Sequence, residues 1–261
     1  MTSDGGMNVG FTPVVSVSLA GLVLKPGAAW GSDAKSALTW ACASGAGMVQ
    51  LDATMSGLRP RELDASARRD VRAMARRAGV GISGVDLFVP VQHFAEAAHV
   101  DRALGAVQAA LELARDLADD GRAVVATELP AKLDEGTLAT LRGMAQAAGV
   151  MIADCGWPAR VMSDVGTADV GVGIDPAMML ASGADVLGEV ARLRGAPAQA
   201  RLSDLSGVGR VEVGTGRLDV MAYCVTLATK GYRGAMVIDL RGVRDQAGVV
   251  SKTVARLRAV V

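Results

Sequence analysis

Short apolar segments alternate with longer segments of helical periodicity along this sequence, and this alternation constrains the fold more than any other feature. Strands that alternate with helices form a parallel sheet with right-handed crossovers. Eight strands are the number that closes a (β/α)8 barrel, and 261 residues is a usual length for one. We therefore predict a single TIM barrel over residues 13–261, preceded by a flexible tail at residues 1–12. The predicted strands are VVSVSLA, MVQLDA, ISGVDLFV, AVVATEL, VMIADCG, VGVGIDP, ARLSDL and AMVIDL.

The segments between these runs have the periodicity of amphipathic helices. In segments 60–79 and 101–121, apolar residues recur at i, i+3 and i+4, and each segment ends at glycine, the preferred residue just after a helix. A doubly wound open sheet is the alternative fold, but no glycine-rich phosphate loop follows the first strand. VGTGRLD contains Gly-x-Gly, yet Asp219 stands where the dinucleotide-binding motif requires glycine. The remaining predicted helices are KSALTWACASG, EGTLATLRGMAQAAG, PAMMLASGADVLGEVARLRG and DVMAYCVTLATKG.

Charge and cysteine content exclude several classes of function. The 27 basic and 27 acidic residues cancel, so neither nucleic acid nor an anionic membrane is expected as a partner. Three cysteines without a CxxC pair argue against a disulfide framework or a zinc finger. The apolar run PVVSVSLAGLVL is too short to span a bilayer, and its alternating serines indicate a strand. These features predict a cytoplasmic protein that binds a small molecule, and they leave a homo-oligomer open.

Acidic residues recur in or just after the predicted strands. In a TIM barrel the carboxyl ends of all strands open onto one mouth, where active sites are built, so these acids should converge there. Several carboxylates in one pocket cannot all stay ionised without compensation. A divalent cation with oxygen ligands would supply that compensation. The acids are Asp52, Asp86, Glu128, Asp154, Asp175, Asp204 and Asp239.

Several of these acids also have a structural interpretation. Asp175 precedes Pro176, the preferred arrangement for capping the start of a helix. Asp154 suits a turn, and Asp52 and Asp86 can accept hydrogen bonds from loop amides. Each acid is therefore weak evidence for a site when taken singly. Their shared placement at strand ends is what indicates function.

Among these acids, Asp239 is the one most strongly expected to lie in the pocket. Residues 240–242 would make a poor helix start, so a capping role is excluded. The strand before it is covered on both faces, so its carboxylate should face the barrel mouth, within about 6 Å of another acid. Arg241 alone cannot neutralise four carboxylates. We therefore expect either a metal ion or a protonated acid beside Glu128, Asp175, Asp204 and Asp239.

The C-terminal third of the chain contains the stretch SDLSGVGRVEVGTGRLDVMAYCVTLATKGYRGAMVIDLRG. This stretch resembles the xylose isomerase-like TIM-barrel, or sugar phosphate isomerase/epimerase, family. In that family a seventh strand ending in an acid leads to a Gly-x-Gly-x-x-Asp loop, a helix, Gly-Tyr-x-Gly and a last strand with a carboxylate. ALTWACASGAGMVQLDA also resembles the first helix and second strand of the family. The matching residues are Asp204, Gly214, Gly216, Asp219, Gly231, Tyr232, Gly234 and Asp239.

The resemblance implies a divalent metal, Mg²⁺ or Mn²⁺, held by a Glu, an Asp, a His and a terminal Glu. Glu128 matches the first, Asp175 the second and Asp239 the last, while Asp204 is near the position of the absent His. The strand that should carry this His contains Arg201 and Ser203, and a second expected His is Met178. The resemblance thus implies a partly rewritten metal site with Glu128 and Asp239 as catalytic groups. The candidate substrate-binding residues are Arg201, Arg210, Asp52 and His93.

Two functions remain open at this point. The first is isomerisation or epimerisation of a sugar or sugar phosphate, in which a metal polarises the carbonyl and a carboxylate transfers a proton through an enediolate. The second is a carbohydrate-binding barrel that has lost metal and catalysis, with Arg201 or Arg241 neutralising the acids. A metal-dependent nuclease on this fold is disfavoured by the neutral charge and the two histidines.

Overall fold

Eight parallel strands close into a barrel in the computed structural model, which describes residues 13–23, 33–118, 123–159, 170–207 and 209–258. Each of the eight predicted segments contains one barrel strand, and the predicted (β/α)8 fold is confirmed. The predicted tail at residues 1–12 lies outside the described residues. The barrel strands are β1 (Val15–Ser18), β2 (Met48–Asp52), β3 (Gly81–Asp86), β4 (Val124–Thr127), β5 (Met151–Asp154), β6 (Val170–Ile174), β7 (Gln199–Leu202) and β10 (Met236–Ile238).

Helices follow the strands and cover the outside of the barrel. Aspartate side chains cap several of them, and α2 and α4 end at Gly79 and Gly149 in the left-handed conformation that favours glycine. None of the helices within the described ranges is long and apolar enough to cross a membrane. The helices are α1 (Ala34–Ala43), α2 (Ala65–Ala78), α3 (Val100–Leu117), α4 (Glu135–Ala148), α5 (Pro176–Ala181), α6 (Val186–Arg192), α7 (Val220–Thr229) and α8 (Gln246–Arg258).

Three helix predictions were wrong in their boundaries, and the helix predicted over residues 101–121 ends at Leu117. The helix predicted over residues 60–79 begins only at Ala65. The Asp64 side chain accepts hydrogen bonds from the backbone amides of Ser66 and Ala67, and this cap fixes the start of the helix. The single helix predicted after Asp175 is split into α5 and α6. Gly183, at φ 79°, turns the chain between them.

A short hairpin interrupts the strand–helix alternation after β7. Its strands, β8 (Asp204–Ser206) and β9 (Gly209–Val211), pair antiparallel, with Leu205 opposite Arg210. This hairpin carries Arg210 to the mouth of the barrel, where its guanidinium contacts residues at the ends of β6 and β10.

The barrel interior contains polar residues below the mouth. Gln50 and Gln199 exchange amide hydrogen bonds of 2.9 and 3.1 Å and are almost fully buried. The neighbouring strands β3 and β4 approach closely at Gly84, which has a φ of 155°. A Cβ atom on Gly84 would lie 2.1 Å from the carbonyl oxygen of Val124. Only glycine permits this approach.

Candidate active site at the carboxyl end of the barrel

A cavity of about 250 Å³ opens at the carboxyl ends of the barrel strands. Residues that follow six of the strands, together with Arg201 on β7, form its wall. Phe88, which follows β3, is an aromatic side chain in this wall, and it is 69% exposed. The charged residues of the wall are Asp52, Asp86, Glu128, Arg201 and Arg241.

Beside this cavity, Asp175 and Asp239 share two arginines. Arg210 places one nitrogen 2.7 Å from Oδ2 of Asp175 and another 3.0 Å from Oδ2 of Asp239. The Nη2 atom of Arg241 lies 3.2 Å and 2.5 Å from the same two oxygens. Asp239 thus faces the mouth as predicted, and the two carboxylate oxygens are less than about 6 Å apart, within the range over which charges couple.

A third arginine is buried deeper in the barrel. Arg201 forms an ion pair with Asp86, whose other oxygen accepts a hydrogen bond from Ser18. The Nη1 atom of Arg201 also lies 3.5 Å from Asp239. The side chains of Arg201 and Asp86 are 5% and 8% exposed, so both charges depend on each other for compensation.

These arginines explain how buried aspartates stay ionised. Burial alone would raise the pKa of Asp239, but the hydrogen bond from Arg241 and the charges of Arg201, Arg241 and Arg210 hold it well below its usual range. Asp175 is likewise buried, and Arg210 contributes most to lowering its pKa. The prediction that a metal ion or a protonated acid balances these carboxylates weighed one arginine, whereas three arginines contact the aspartates. The metal ion itself stays a prediction.

Glu128 differs from the aspartates. Its side chain is 29% exposed in the cavity wall, and Nη1 of Arg241 lies 3.9 Å from its carboxylate. No residue in the described parts of the chain donates a hydrogen bond to it. Burial raises the pKa of Glu128, and the opposing charge of Arg241 does not cancel this effect. Glu128 is therefore the acid of this cavity wall whose carboxylate is held, among the described residues, only by a long ion pair with Arg241.

The structure does not bring Asp204 to this cluster. Its two oxygens accept hydrogen bonds from the backbone amides of Leu205, Gly214, Gly216 and Leu218, at 2.8 to 2.9 Å. These bonds hold the loop before α7 against the hairpin. Asp204 thus acts as an anchor for the loop whose Gly-x-Gly pattern contributed to the resemblance.

The other residues singled out in the sequence have separate positions. Asp154 accepts hydrogen bonds from the amides of Leu129 and Gly156, which fits the predicted turn. Asp52 lines the cavity, and its Oδ1 accepts hydrogen bonds from the backbone and hydroxyl of Thr54. His93 lies on a short 3₁₀ helix with its ring 4.7 Å from that of His99, and it does not line the cavity.

Sequence reasoning missed Ser203 and Phe88. The Ser203 hydroxyl donates to Asp175 at 2.6 Å and accepts from the amide of Ala177, which fixes the Asp175 carboxylate. In the sequence, Ser203 was marked only by its position directly before Asp204 in the predicted strand ARLSDL. Phe88 had a clearer signal, because it is one of three phenylalanines and comes two residues after a strand-end acid.

The arrangement does not fit the divalent metal that the resemblance implies. The Oδ2 atoms of Asp175 and Asp239, which a metal would need, are each bound by two arginines. No group of three or more His, Cys, Asp or Glu side chains in the described ranges has the arrangement of a metal site. No step of the chemistry is therefore assigned to a metal.

Comparison with solved structures identifies the type of barrel. A xylose isomerase domain protein from Planctomyces limnophilus superposes with a TM-score of 0.68 at 15% identity, covering 96% of each chain. The chain shares the TIM-barrel fold of this protein. D-allulose 3-epimerase from Methylomonas sp. in complex with D-allulose gives 0.68 at 13% identity, covering 96% of this chain and 98% of the epimerase. A xylose isomerase-like protein from Mycobacterium smegmatis in complex with magnesium gives 0.68 at 11%, covering 97% of both. No protein-family model and no curated protein matches the sequence.

Proposed function

We propose that this barrel binds a small sugar or sugar derivative at its mouth and transfers a proton next to the sugar carbonyl, as an isomerase or epimerase. The cavity supports this proposal because it combines charged groups, which can hydrogen-bond hydroxyls, with the exposed ring of Phe88. Aromatic side chains offer an apolar face with a polar edge, and ligand sites combine such faces with a few placed polar groups. Its fold is shared with a sugar epimerase whose structure holds D-allulose.

The observation that carries the proposal is the state of Glu128. A general base must have a free carboxylate within reach of the substrate and a pKa near the working pH. Glu128 lies in the cavity wall, accepts no hydrogen bond from the described residues, and has its pKa raised by burial. It would remove the proton from the carbon next to the carbonyl, which leaves an enediolate. Isomerisation follows when the proton is returned to the former carbonyl carbon and the hydroxyl proton passes between the two substrate oxygens, and epimerisation follows when a proton is returned to the same carbon on its opposite face.

Arg241 would stabilise the charge that forms in this step. As the proton leaves, negative charge develops on the carbonyl oxygen, and a fixed cation at that position lowers the barrier. Arg241 lines the same cavity 3.9 Å from Glu128, and it is 33% exposed. Asp239 binds Arg241 through Nε, Nη2 and its backbone amide, so we assign Asp239 the role of positioning this guanidinium.

A carbohydrate-binding protein without catalysis is the second candidate. It is favoured by the pairing of Asp86, Asp175 and Asp239 with arginines, which leaves few groups free for chemistry. The two functions differ in one respect. Both require sugar binding, but only the enzyme exchanges a carbon-bound proton of the sugar with solvent.

Proton exchange in D2O tests the proposal. We expect D-allulose, D-tagatose or D-fructose to exchange the proton next to the carbonyl for deuterium in the presence of the protein, followed by NMR with and without added Mn²⁺. Glu128→Gln should abolish the exchange, because an amide cannot accept the proton. Glu112→Gln on α3, where the side chain accepts a hydrogen bond from Gln108 and does not line the cavity, is the matched control and should retain the exchange.

The outcomes separate the two candidates. Sugar binding by calorimetry without deuterium exchange would favour the binding protein over the enzyme. Exchange that survives Glu128→Gln would show that another group is the base.

A further inference from the structure

Two arginines carry the charge of a divalent cation at the mouth of the barrel. Arg210 and Arg241 each contact Oδ2 of both Asp175 and Asp239, at distances from 2.5 to 3.2 Å. Each guanidinium carries one positive charge at all ordinary pH values. The pair therefore places two positive charges on two carboxylates, as a divalent ion would.

This arrangement is built into the fold and is not a surface ion pair. The side chains of Asp175 and Asp239 are 1% and 0% exposed. Arg210 comes from the β8–β9 hairpin, while Arg241 follows β10 and is fixed by its backbone amide, 2.9 Å from Oδ1 of Asp239. Two separate parts of the chain thus bring their charges to the same pair of oxygens.

The charges around these oxygens are already balanced. Three arginines oppose three aspartates in the buried cluster, which consists of Asp86, Asp175, Asp239, Arg201, Arg210 and Arg241. Arg201 lies on β7, where the resembled family has its histidine. A divalent ion at Asp175 and Asp239 would meet three guanidiniums at close range, and repulsion in a buried site is strong.

We infer that Arg210 and Arg241 replace the metal ion of metal-dependent barrels with this fold, so that the site is metal-independent, and that removing their charges uncovers a latent site for a divalent cation. The inference concerns the construction of the site and does not depend on turnover of a sugar. Without the two guanidiniums, Asp175 and Asp239 would regain free oxygen atoms, the ligands that Mg²⁺ and Mn²⁺ prefer.

Metal binding by the wild type and by a double variant tests the inference. We expect the purified wild type to contain far less than one metal ion per chain and to show no rise in melting temperature with Mn²⁺ or Mg²⁺. Arg210→Gln/Arg241→Gln should bind Mn²⁺ at least about tenfold more tightly than the wild type, because two like charges near the ion are gone. Bound Mn²⁺ is counted directly by electron paramagnetic resonance, independently of activity.

Arg115→Gln/Arg192→Gln is the matched control. It makes the same change in net charge at exposed ion pairs with Asp116 and Glu189, none of which lines the cavity, and it should bind Mn²⁺ no better than the wild type. If the double variant at the mouth does not fold, Arg241→Gln alone is measured in the same way. Stoichiometric metal in the wild type would overturn the inference, and so would folded mouth variants that bind Mn²⁺ no better than the control.

Discussion

Asp239→Asn should be strongly destabilising, because it removes one charge from a buried cluster without changing its shape. The Asp239 side chain is fully buried, and its oxygens are bound by Arg210 and Arg241. The Asn oxygen can keep the hydrogen bond from the Arg241 backbone amide, but the arginines lose their counter-charge. Breaking a buried ion pair by removing one partner costs about 3–5 kcal/mol of unfolding free energy. For a chain of this size, that corresponds to a fall in melting temperature of roughly 6–20 °C.

The pH dependence of this loss tests its cause. The pKa of Asp239 is lowered in the folded state, so its charge stabilises the fold above the unfolded pKa of about 3.9 and this contribution is lost as pH falls towards the folded pKa. The difference in unfolding free energy between wild type and Asp239→Asn should therefore be full at neutral pH and shrink as pH falls below about 4. Urea denaturation at a series of pH values measures it.

Asp70→Asn is the control for this experiment, because Asp70 is exposed on α2. Its effect should lie within about 0.5 kcal/mol of zero. A loss below about 1 kcal/mol for Asp239→Asn at neutral pH would contradict the assigned role of the buried charge. A loss that does not change on acidification would show that shape, and not charge, is responsible.

Two further substitutions test the scaffold that supports the site, each measured by urea denaturation. Gly84→Ala should destabilise the barrel by more than about 2 kcal/mol, because its Cβ would lie 2.1 Å from the carbonyl oxygen of Val124. The control is Gly105→Ala on α3, which has open space around it and should stabilise the protein by about 0.5–1 kcal/mol. Equal effects of the two substitutions would contradict this reasoning. Asp219→Ala removes one helix cap and should lower the free energy of unfolding by roughly 0.5–2 kcal/mol. Asp204→Ala should lower it by more, because Asp204 accepts hydrogen bonds from four backbone amides. A smaller loss would mean that the loop does not depend on Asp204.

The barrel itself was predictable because its signal is local and repeated. In the sequence, each barrel strand is a short apolar run, and most helices have apolar residues at helical spacing. Errors at single boundaries therefore did not change the number of predicted strands. The errors came from residues with several roles. Asp64 caps a helix that begins five residues later than the periodic pattern indicated, and Gly183 divides a continuous apolar pattern in two.

The site was only partly predictable, for a physical reason. That the strand-end acids share one mouth follows from barrel geometry, and Asp175 and Asp239 lie there. Which cation opposes them depends on where long arginine side chains reach. Arg210 meets Asp175 across 35 residues of sequence, and Arg201 is inside a strand, so no local pattern assigns either guanidinium to these oxygens.

The β8–β9 hairpin has a consequence for how such a site can change during evolution. Arg201 and Arg241 lie in or next to barrel strands, where substitution disturbs the scaffold. Arg210 comes from a hairpin whose two strands, among the residues that the structure describes, pair with each other and not with the barrel. Loops tolerate insertion and replacement far better than the strands that they connect. The charge of this pocket therefore depends in part on a hairpin outside the barrel sheet, so that a lineage could change one of its three guanidiniums without altering the barrel.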